Sequence, residues 1–283
     1  MFSYIVAGIA ILLFTFNPIL QYFSPEPSRL PRTPRPRINE SLLAIDAANQ
    51  TASDCPPDSY SIHILSKAPI VIYIENFLSK DERSHLLEIS EPLFEPSTIT
   101  HDGDSTHRDT TIRDSEVALV PRTNVVRCIE TRARAFQGWR DDLWIERLRT
   151  QRYSTNQHYT HHFDWGSGAR GWGRVSSMMA WVQADDVEGG GTEFPLLQRE
   201  APDTPWCQWV ECPKLPGSEE EIPTADGELS AGVTFKPVAG NAVYWENFRP
   251  DGTGTGWDET WHAGLPVKKG TKVGLNIWSW GRL

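Results

Sequence analysis

The stretch R-Y-S-T-N-Q-H-Y-T-H-H-F-D, from Arg152 to Asp164, decides how the rest of the chain is interpreted. Three of the eight histidines lie in it, at positions 158, 161 and 162. Residues two apart in a strand face the same side of the sheet, so His162 and Asp164 can present an imidazole and a carboxylate to one point while His161 faces away. Two polar residues at a strand end would give the same pattern without any function. The stretch therefore needs partners elsewhere in the chain.

Candidate partners lie near the C-terminal end. His262 is the only histidine after His162, and it lies in the β-like segment E-T-W-H-A-G-L-P-V. Two imidazoles and one carboxylate that leave coordination positions open are the facial arrangement of non-haem Fe(II) oxygenases. Lys272 follows His262 by 10 residues, and a turn through Pro266 and Gly270 can fold it back toward the same cavity. A buried lysine needs an anionic partner, which a dicarboxylate co-substrate can supply, whereas a solvated lysine on a strand needs none.

The sequence from Val71 to Trp280 resembles the prolyl 4-hydroxylase-type 2-oxoglutarate/Fe(II) dioxygenase family. The opening stretch is similar to the family signature R-Y-x-x-G-Q-x-Y-x-x-H-x-D, and the segments GGGTEFP, FKPVAGNAVYWEN and WHAGLPVKKGTKVGLNIW continue the family pattern in order. The chain is particularly similar to membrane-anchored fungal members that carry an inserted W-C-x-x-x-x-C segment. We therefore expect the fold and chemistry of that family.

The resemblance implies a role for several residues and a set of cofactors. It implies Fe(II), 2-oxoglutarate, O2 and L-ascorbate. Arg113, in I-R-D-S-E, stands where the family often has an arginine near the substrate channel. His158 and His161 match no liganding position, and we interpret them as surface or channel-edge residues. The implied catalytic set is iron ligands His162, Asp164 and His262, with Lys272 on the distal carboxylate of 2-oxoglutarate and Tyr153, Thr192 and Trp278 around the same co-substrate.

Two positions depart from the family pattern. Asn156 replaces the glycine of Y-x-x-G-Q, and Gly191 replaces the glutamate of G-G-E-T. The first change is mild because asparagine tolerates left-handed backbone. The second removes a carboxylate near the active-site mouth, and we expect it to affect substrate choice.

The predicted fold is mainly β with flanking helices (α+β), and the resemblance implies a double-stranded β-helix (jelly-roll) oxygenase domain over residues 59–283. Beyond Trp144, short apolar or alternating segments separated by turn residues favour an antiparallel sandwich or barrel. Ser79 and Glu82 predict a capping box for a helix through about Ser90, and apolar spacing predicts a second helix over Thr123–Phe136. The polar stretch 98–113 is expected to be a loop or lid. Five aromatic and aliphatic side chains form either the walls of the site or the sandwich core: Trp181, Tyr244, Trp245, Ile277 and Trp278.

The N-terminal 23 residues predict a membrane anchor. No charged side chain occurs before Glu26, and Tyr4–Phe16 is almost entirely apolar, so residues 1–23 can span a bilayer. A cleaved signal peptide is the alternative, but neither a basic n-region nor a small-residue cleavage site accompanies this run. Residues 24–58 begin with S-P-E-P-S-R-L-P-R-T-P-R-P-R, whose prolines favour an extended, solvated stalk.

The location of the domain is predicted from conflicting features. Four arginines directly after the apolar run would keep that side in the cytosol. The sequons at Asn39 and Asn49 matter only in the lumen, and four cysteines can pair in an oxidising compartment. The family resemblance favours a single-pass protein of the endoplasmic reticulum membrane with a lumenal domain. A local Cys207–Cys212 disulfide is then expected, and a Cys55–Cys128 bond is possible.

The predicted function is hydroxylation of peptidyl proline at C4, with decarboxylation of 2-oxoglutarate to succinate. A net charge of −10 argues against nucleic acid as a partner. The resemblance and the apolar N-terminal segment imply a proline-containing polypeptide and the membrane as partners. The alternatives are a small-molecule or lysyl oxygenase and a catalytically silent module that binds proline-rich peptides. The sequence indicates neither the prime substrate nor the oligomeric state.

Overall fold

The computed structural model describes residues 40–45, 54–101, 105–138, 142–165, 171–198, 204–212 and 232–283. The predicted membrane anchor (1–23) and much of the predicted stalk (24–58) lie outside these residues, so both stay predictions. No helix within the described ranges is long and apolar enough to cross a membrane.

The described residues form two α-helices, α1 (Lys80–Ser90) and α2 (Asn124–Phe136), together with short 3-10 turns at Glu40–Leu42, Glu91–Leu93, Thr204–Gln208 and Asp258–Thr260. The strands in chain order are β1 (Ser61–Lys67), β2 (Ile70–Glu75), β3 (Glu95–Pro96), β4 (Ile99–His101), β5 (Ser105–His107), β6 (Arg113–Asp114), β7 (Glu116–Leu119), β8 (Trp144–Ile145), β9 (Arg149–Tyr153), β10 (His158–His162), β11 (Trp172–Gln183), β12 (Glu188–Gly189), β13 (Thr192–Phe194), β14 (Val233–Phe235), β15 (Ala242–Glu246), β16 (His262–Gly264), β17 (Val267–Lys269) and β18 (Lys272–Arg282).

Two antiparallel sheets face each other. The major sheet has nine strands in the order β1-β2-β15-β11-β18-β9-β7-β3, with β8 paired to β18, and the minor sheet has the order β14-β13-β16-β10-β6. Side chains of both sheets, among them Trp181 and Trp245 from the major sheet and Phe194 and Phe235 from the minor sheet, form one buried cluster. This mainly β arrangement with few helices agrees with the predicted jelly-roll fold.

The two helices cover the outer face of the major sheet, as their apolar spacing predicts. The capping box at Ser79 and Glu82 is present, and Thr123 caps α2 by accepting from the amide of Val126. Buried side chains such as Leu86 and Ile129 join the cluster that includes Ile277 of β18. The major sheet is therefore buried on both faces, which keeps strands β9, β11 and β18 rigid beneath the site.

The stretch 98–113 differs from the predicted loop or lid. Strands β4 and β5 pair there as a separate two-stranded ribbon, and β6 begins at Arg113. The prediction relied on the scarcity of apolar residues, but a ribbon at the surface needs apolar contact on few of its side chains. Ile99 supplies such a buried contact.

Described residues from the predicted stalk contact the domain. Leu43 is buried and forms an antiparallel bridge with Glu146, next to β8. Cys55 is bonded to Cys128 of α2, and the carboxylate of Asp58 lies 2.5 Å from Nε of Arg132. Residues 40–45 and 54–58 are therefore attached to the domain by main-chain pairing, a disulfide and an ion pair, while most of their side chains are exposed.

A second disulfide closes a segment against the edge of the minor sheet. Cys207 and Cys212 are bonded as predicted. Between them, Val210 bridges Phe235 of β14, and the amide of Glu211 donates to the carbonyl of Thr234. This disulfide-closed segment, residues 207–212, therefore covers the β14 edge that would otherwise expose unpaired main-chain groups.

Candidate active site

One cavity between the two sheets contains most of the residues that the sequence singled out. About 440 Å³ of space, including its open mouth, is free of protein atoms. The cavity brings together the predicted residues His162, Asp164, His262, Lys272, Tyr153 and Thr192, which come from both sheets. Its other lining residues include Gln151, Tyr159, Met178, Met179, Trp245, Gly264 and Asn276.

Three ligand groups converge at one end of the cavity, here called the metal end. One ligand atom each from His162, Asp164 and His262 lies within 4.8 Å of the others. The two histidines are directly paired across strands β10 and β16, and the Asp164 carboxylate lies 3.7 Å from Nε2 of His162 and 3.9 Å from Nε2 of His262. Two imidazoles and one carboxylate on one side of a point can hold a divalent iron and leave positions open.

Both imidazoles are oriented by main-chain carbonyls. Nδ1 of His162 lies 2.8 Å from the carbonyl oxygen of Thr160, and Nδ1 of His262 lies 2.8 Å from that of Thr260. A carbonyl can only accept, so Nδ1 carries the proton in each ring and Nε2 presents a lone pair to the shared point. Ligating histidines are typically fixed in this way by a second hydrogen bond.

The charge states at the metal end suit a cation. Burial, and next the proximity of His262, lowers the pKa of His162 to about 3, so this imidazole is neutral at physiological pH. Burial alone would raise the pKa of Asp164, but the two imidazoles, the Arg174 guanidinium and a hydrogen bond from Trp278 together hold it below its ordinary value. Asp164 is therefore an anion beside the neutral imidazole of His162.

Lys272 defines the opposite end of the cavity, here called the lysine end. Only 1% of its surface is exposed, and its Nζ donates to the carbonyl oxygen of Gly190 at 2.5 Å and lies 4.7 Å from the ring centroid of Tyr153. No described carboxylate lies within ion-pair distance of Nζ. Burial lowers the pKa of Lys272 from 10.5 to about 8, so the side chain is still mostly an ammonium at neutral pH and lacks a counter-ion.

Two hydroxyl-bearing residues stand beside this ammonium. Tyr153 is directly opposite Lys272 in the pairing of β9 and β18, and its hydroxyl donates to Oε1 of Gln151 at 2.8 Å. Thr192 is buried at the start of β13, where it pairs with Gly264. Hydroxyls and an ammonium around one small space can bind a carboxylate.

Three predicted positions lie outside the cavity lining. The indole N–H of Trp278 donates a hydrogen bond to the Asp164 carboxylate. Its ring packs under Arg174, whose Cζ lies 4.0 Å from the ring centroid. Arg113 lies on β6, with its Cζ 4.7 Å from the ring centroid of Tyr159. His161 faces away as expected and bonds Oε2 of the buried Glu193 at 2.8 Å.

The remaining predicted positions are peripheral or belong to the core. His158 lies near the main-chain carbonyls of Asn156 and Thr111. Of the five proposed wall residues, only Trp245 lines the cavity, and its ring packs edge-on against His262 at 4.9 Å. The alternative interpretation as core residues applies to the three others outside the site, Trp181, Tyr244 and Ile277.

Sequence reasoning gave no role to three residues that support the metal end. The ring of Tyr159 stacks on that of His162, with the two ring centroids 3.7 Å apart. This tyrosine is the Y of the Q-x-Y part of the family signature. Arg174 donates to Glu146 at 2.6 Å and reaches the carbonyl of Asp164 at 3.4 Å. Nothing in the sequence around Glu146 or Arg174 indicates this pairing across 28 residues.

The two departures from the family pattern have structural explanations. Asn156 has a φ of 69°, the left-handed conformation expected when asparagine replaces glycine. A Cβ at Gly191 would lie 2.6 Å from Cγ2 of Thr234 and 3.6 Å from Oε1 of Glu211. Since Gly191 adjoins Gly190, whose carbonyl binds Lys272, it lies at the lysine end. Gly191 has no described contact with the metal end, so its expected effect on substrate choice stays a prediction.

Two imidazoles and one carboxylate that leave coordination positions open, held here between two antiparallel sheets, are typical of non-haem Fe(II) oxygenases. Residues 148–280 match the family model described as the 2OG-Fe(II) oxygenase superfamily. This part, just under half of the chain, is similar to that superfamily, and the protein is a 2-oxoglutarate-dependent dioxygenase.

Curated relatives give a more specific similarity. The chain is 27% identical over 223 residues to probable prolyl 4-hydroxylase 3 of Arabidopsis thaliana, covering 76% of this chain and 70% of that one. It is 26% identical over 223 residues to prolyl 4-hydroxylase 5 of the same plant, covering 77% and 70%. The viral collagen prolyl hydroxylase of Paramecium Bursaria Chlorella virus-1, solved with 2-oxoglutarate, matches with 21% identity and a TM-score of 0.48, covering 75% of this chain and 96% of that chain.

The superfamily uses Fe(II), 2-oxoglutarate and O2, and L-ascorbate is typical of prolyl hydroxylases. The residues of the cavity fit this set. The metal end offers the donors that Fe(II) prefers, and the lysine end offers a buried ammonium for which the described part of the chain supplies no counter-ion.

Proposed function

We propose that this protein hydroxylates peptidyl proline at C4 while 2-oxoglutarate is converted to succinate and CO2. The observation that carries the proposal is one cavity with three metal ligands at one end and, at the other, a buried ammonium that has no counter-ion among the described residues. A dicarboxylate can join the two ends, and relatives that match over 223 residues are named prolyl 4-hydroxylases.

In this proposal each residue has one task. His162, Asp164 and His262 hold Fe(II) on one side only, and Thr160 and Thr260 keep the imidazoles in the donor tautomer. When bound, the iron supplies the oxidising chemistry: one atom of O2 enters the substrate C–H bond and the other enters succinate.

The lysine end binds the co-substrate. Lys272 donates to the distal carboxylate, and Tyr153 and Thr192 provide neighbouring hydroxyls. Met179 and Trp245 line the space between the two ends with apolar surface, which keeps water from the reacting atoms. Trp278 acts through Asp164, and Arg113 lies beside Tyr159 on the side where a substrate would approach.

The test is to incubate the protein with a proline-rich peptide library, Fe(II), 2-oxoglutarate and ascorbate. A gain of about 16 Da per modified residue, located at C4 of proline and matched by succinate release, is the expected result. Modification of lysine or of a small molecule instead would favour the alternative oxygenases. Peptide binding without succinate release would favour the silent binding module, against which the complete ligand set speaks.

We also propose that the domain lies in the lumen of the endoplasmic reticulum on a single-pass, fungal-type membrane anchor. Residues 1–23 are apolar enough to span a bilayer, and both disulfides are compatible with an oxidising compartment. Protection of the domain from protease in sealed microsomes is expected, together with a two-hydrogen mass shift of the peptide holding Cys207 and Cys212 on reduction. Digestion in intact vesicles would place the domain in the cytosol, as the four stalk arginines favour.

A further inference from the structure

The disulfide-closed segment, residues 207–212, connects the edges of the two sheets. Toward the major sheet, the indole N–H of Trp209 donates to Oε1 of Glu75 at 3.2 Å, and its ring stacks on that of Tyr73 with the centroids 5.2 Å apart. Both partners lie on β2. Toward the minor sheet, the carbonyl of Trp209 accepts from the amide of Lys236, directly after β14, at 2.8 Å. One buried tryptophan inside the disulfide loop is therefore bonded to both sheets.

The β14 edge held by this segment lies one strand away from the lysine end. β14 pairs with β13, where Phe235 is opposite Thr192, a residue of the cavity lining. Directly before Thr192, Gly191 packs so closely on β14 that an added Cβ would lie 3.0 Å from the carbonyl oxygen of Phe235. Gly190 precedes it, and the Gly190 carbonyl accepts from Nζ of Lys272. A displacement of β14 would therefore reach the main-chain and hydroxyl groups around the ammonium.

The two disulfides differ in what they can stabilise. Cys55–Cys128 has a sequence separation of 73, whereas Cys207–Cys212 has a separation of only 5. The loop entropy that a disulfide removes from the unfolded chain grows with loop length, so the short loop adds less to the stability of the whole domain. Its main effect is local, because it fixes the conformation in which Trp209 reaches both sheets. Cys207 and Cys212 are both partly exposed, so a small dithiol can reach them.

We propose that the Cys207–Cys212 bond is a redox-modification site that controls the affinity for 2-oxoglutarate. A dithiol gives two electrons and two protons to the S–S bond, which breaks into two thiols while the reductant forms its own disulfide. Opening the loop removes the constraint on Trp209, so β14 loses its connection to β2 and the groups around Lys272 become less ordered. Ordering them again when the co-substrate binds costs free energy, so reduction weakens binding.

The metal end keeps its affinity because it lies farther from the modified bond. The two strands that carry the histidine ligands, β16 and β10, are two and three strands away from β14 in the minor sheet, whereas β13 is next to it. The inference rests on the proposed function in one respect, namely that the lysine end binds 2-oxoglutarate.

The experiment measures the dissociation constant of 2-oxoglutarate by calorimetry on the full-length protein without peptide. The protein is loaded with Mn(II), which prefers oxygen ligands to thiolates. Wild type is compared before and after reduction with dithiothreitol, which is then removed under argon, and with the double variant Cys207→Ser/Cys212→Ser. The dissociation constant should rise about three- to tenfold in the reduced protein and in the double variant. Reoxidation of wild type should restore the affinity.

Further variants separate this route from general damage. Reductant should change nothing more in the double variant, which excludes an effect of Cys55–Cys128. Trp209→Leu should weaken 2-oxoglutarate binding by the same factor with the disulfide intact. Gln208→Ala is the matched control, because Gln208 is exposed within the same loop, and it should leave the dissociation constant unchanged. Mn(II) affinity should stay the same in every form, and thermal unfolding verifies that each variant folds.

Several outcomes would overturn the inference. An equal dissociation constant in oxidised wild type, reduced wild type and the folded double variant would remove the redox control, and so would an equal loss of Mn(II) affinity. Unchanged binding in Trp209→Leu would exclude the connection to β2 as the route. A wild type that binds no 2-oxoglutarate would end both the proposed role of the lysine end and this inference. A wild type that binds it, responds to reduction and hydroxylates no peptide would contradict the proposed function alone.

Discussion

The two ends of the cavity satisfy their polar groups in opposite ways. At the metal end, each imidazole donates to a main-chain carbonyl, and Asp164 receives a hydrogen bond from Trp278 and lies near the Arg174 guanidinium. At the lysine end, one fully buried ammonium has only the carbonyl of Gly190 as a described hydrogen-bond partner and no described counter-ion. The metal end is organised by the protein itself, whereas the lysine end is completed by a ligand.

This difference means that the metal end fixes the geometry of the ligands, whereas the lysine end contributes binding free energy for the co-substrate. A site whose donors are already oriented loses little freedom when the metal arrives. A buried charge without a counter-ion costs free energy until an anion binds. We therefore expect mutations at the metal end to abolish turnover, and mutations at the lysine end to change chiefly the requirement for 2-oxoglutarate.

The largest expected effect is at the metal end. His162→Ala or Asp164→Ala removes one of three ligands, so succinate release should fall below detection and Co(II) binding, followed by its visible absorption, should be lost. His161→Ala should keep most of its turnover because His161 faces away. It should nevertheless lower the free energy of unfolding by about 1–3 kcal/mol, since the buried Glu193 loses a partner. If His161→Ala were inactive and His162→Ala active, our register of β10 would be wrong.

An intermediate effect is expected from Lys272→Ala. A charge-assisted hydrogen bond to a carboxylate contributes about 1.5–3 kcal/mol, so KM for 2-oxoglutarate should rise roughly ten- to a hundredfold. Metal affinity, measured in the absence of 2-oxoglutarate, should stay the same. Lys268→Ala is the control, because Lys268 is exposed on the neighbouring strand β17. A KM equal to that of wild type would remove Lys272 from co-substrate binding.

The smallest expected effect is a pH dependence that belongs to the lysine end. Burial lowers the pKa of Lys272 to about 8 in the free protein, and a bound carboxylate would raise it again. Above pH 8 the side chain is mostly the neutral amine, which must take up a proton when 2-oxoglutarate binds, so affinity should fall by up to about tenfold per pH unit. Below pH 8 affinity should be nearly constant. Calorimetry on Lys272→Met should show no such decline, and an equal decline in that variant would assign it to another group.

Much of the site could be predicted from local sequence. The two-residue alternation places His162 and Asp164 together and turns His161 outward, and the structure has both features. The ordered motifs implied Tyr153, Thr192, His262 and Lys272, all of which line the same cavity. These residues lie within or next to strands whose turn residues and alternation are visible in the sequence.

Other features depend on contacts between distant segments and could not be predicted. The pairing of Glu146 with Arg174 and the hydrogen bond from Trp278 to Asp164 arise only when β8, β11 and β18 are side by side. The ribbon of β4 and β5 was mistaken for a loop because its strands are short and polar. The wall residues Tyr244 and Ile277 belong to the core on the helix side, which depends on which sheet face their strands turn inward.

Because His162 pairs directly with His262, the main-chain hydrogen bonds between β10 and β16 fix the distance between the two imidazoles. The separation of the two imidazoles is set by strand register, and a slip of one residue would send one ring to the opposite face. An off-register sheet would therefore lack a metal site altogether instead of having a weaker one. Metal uptake should accordingly show that β10 and β16 have paired in the correct register, so it can be used to detect correctly assembled protein.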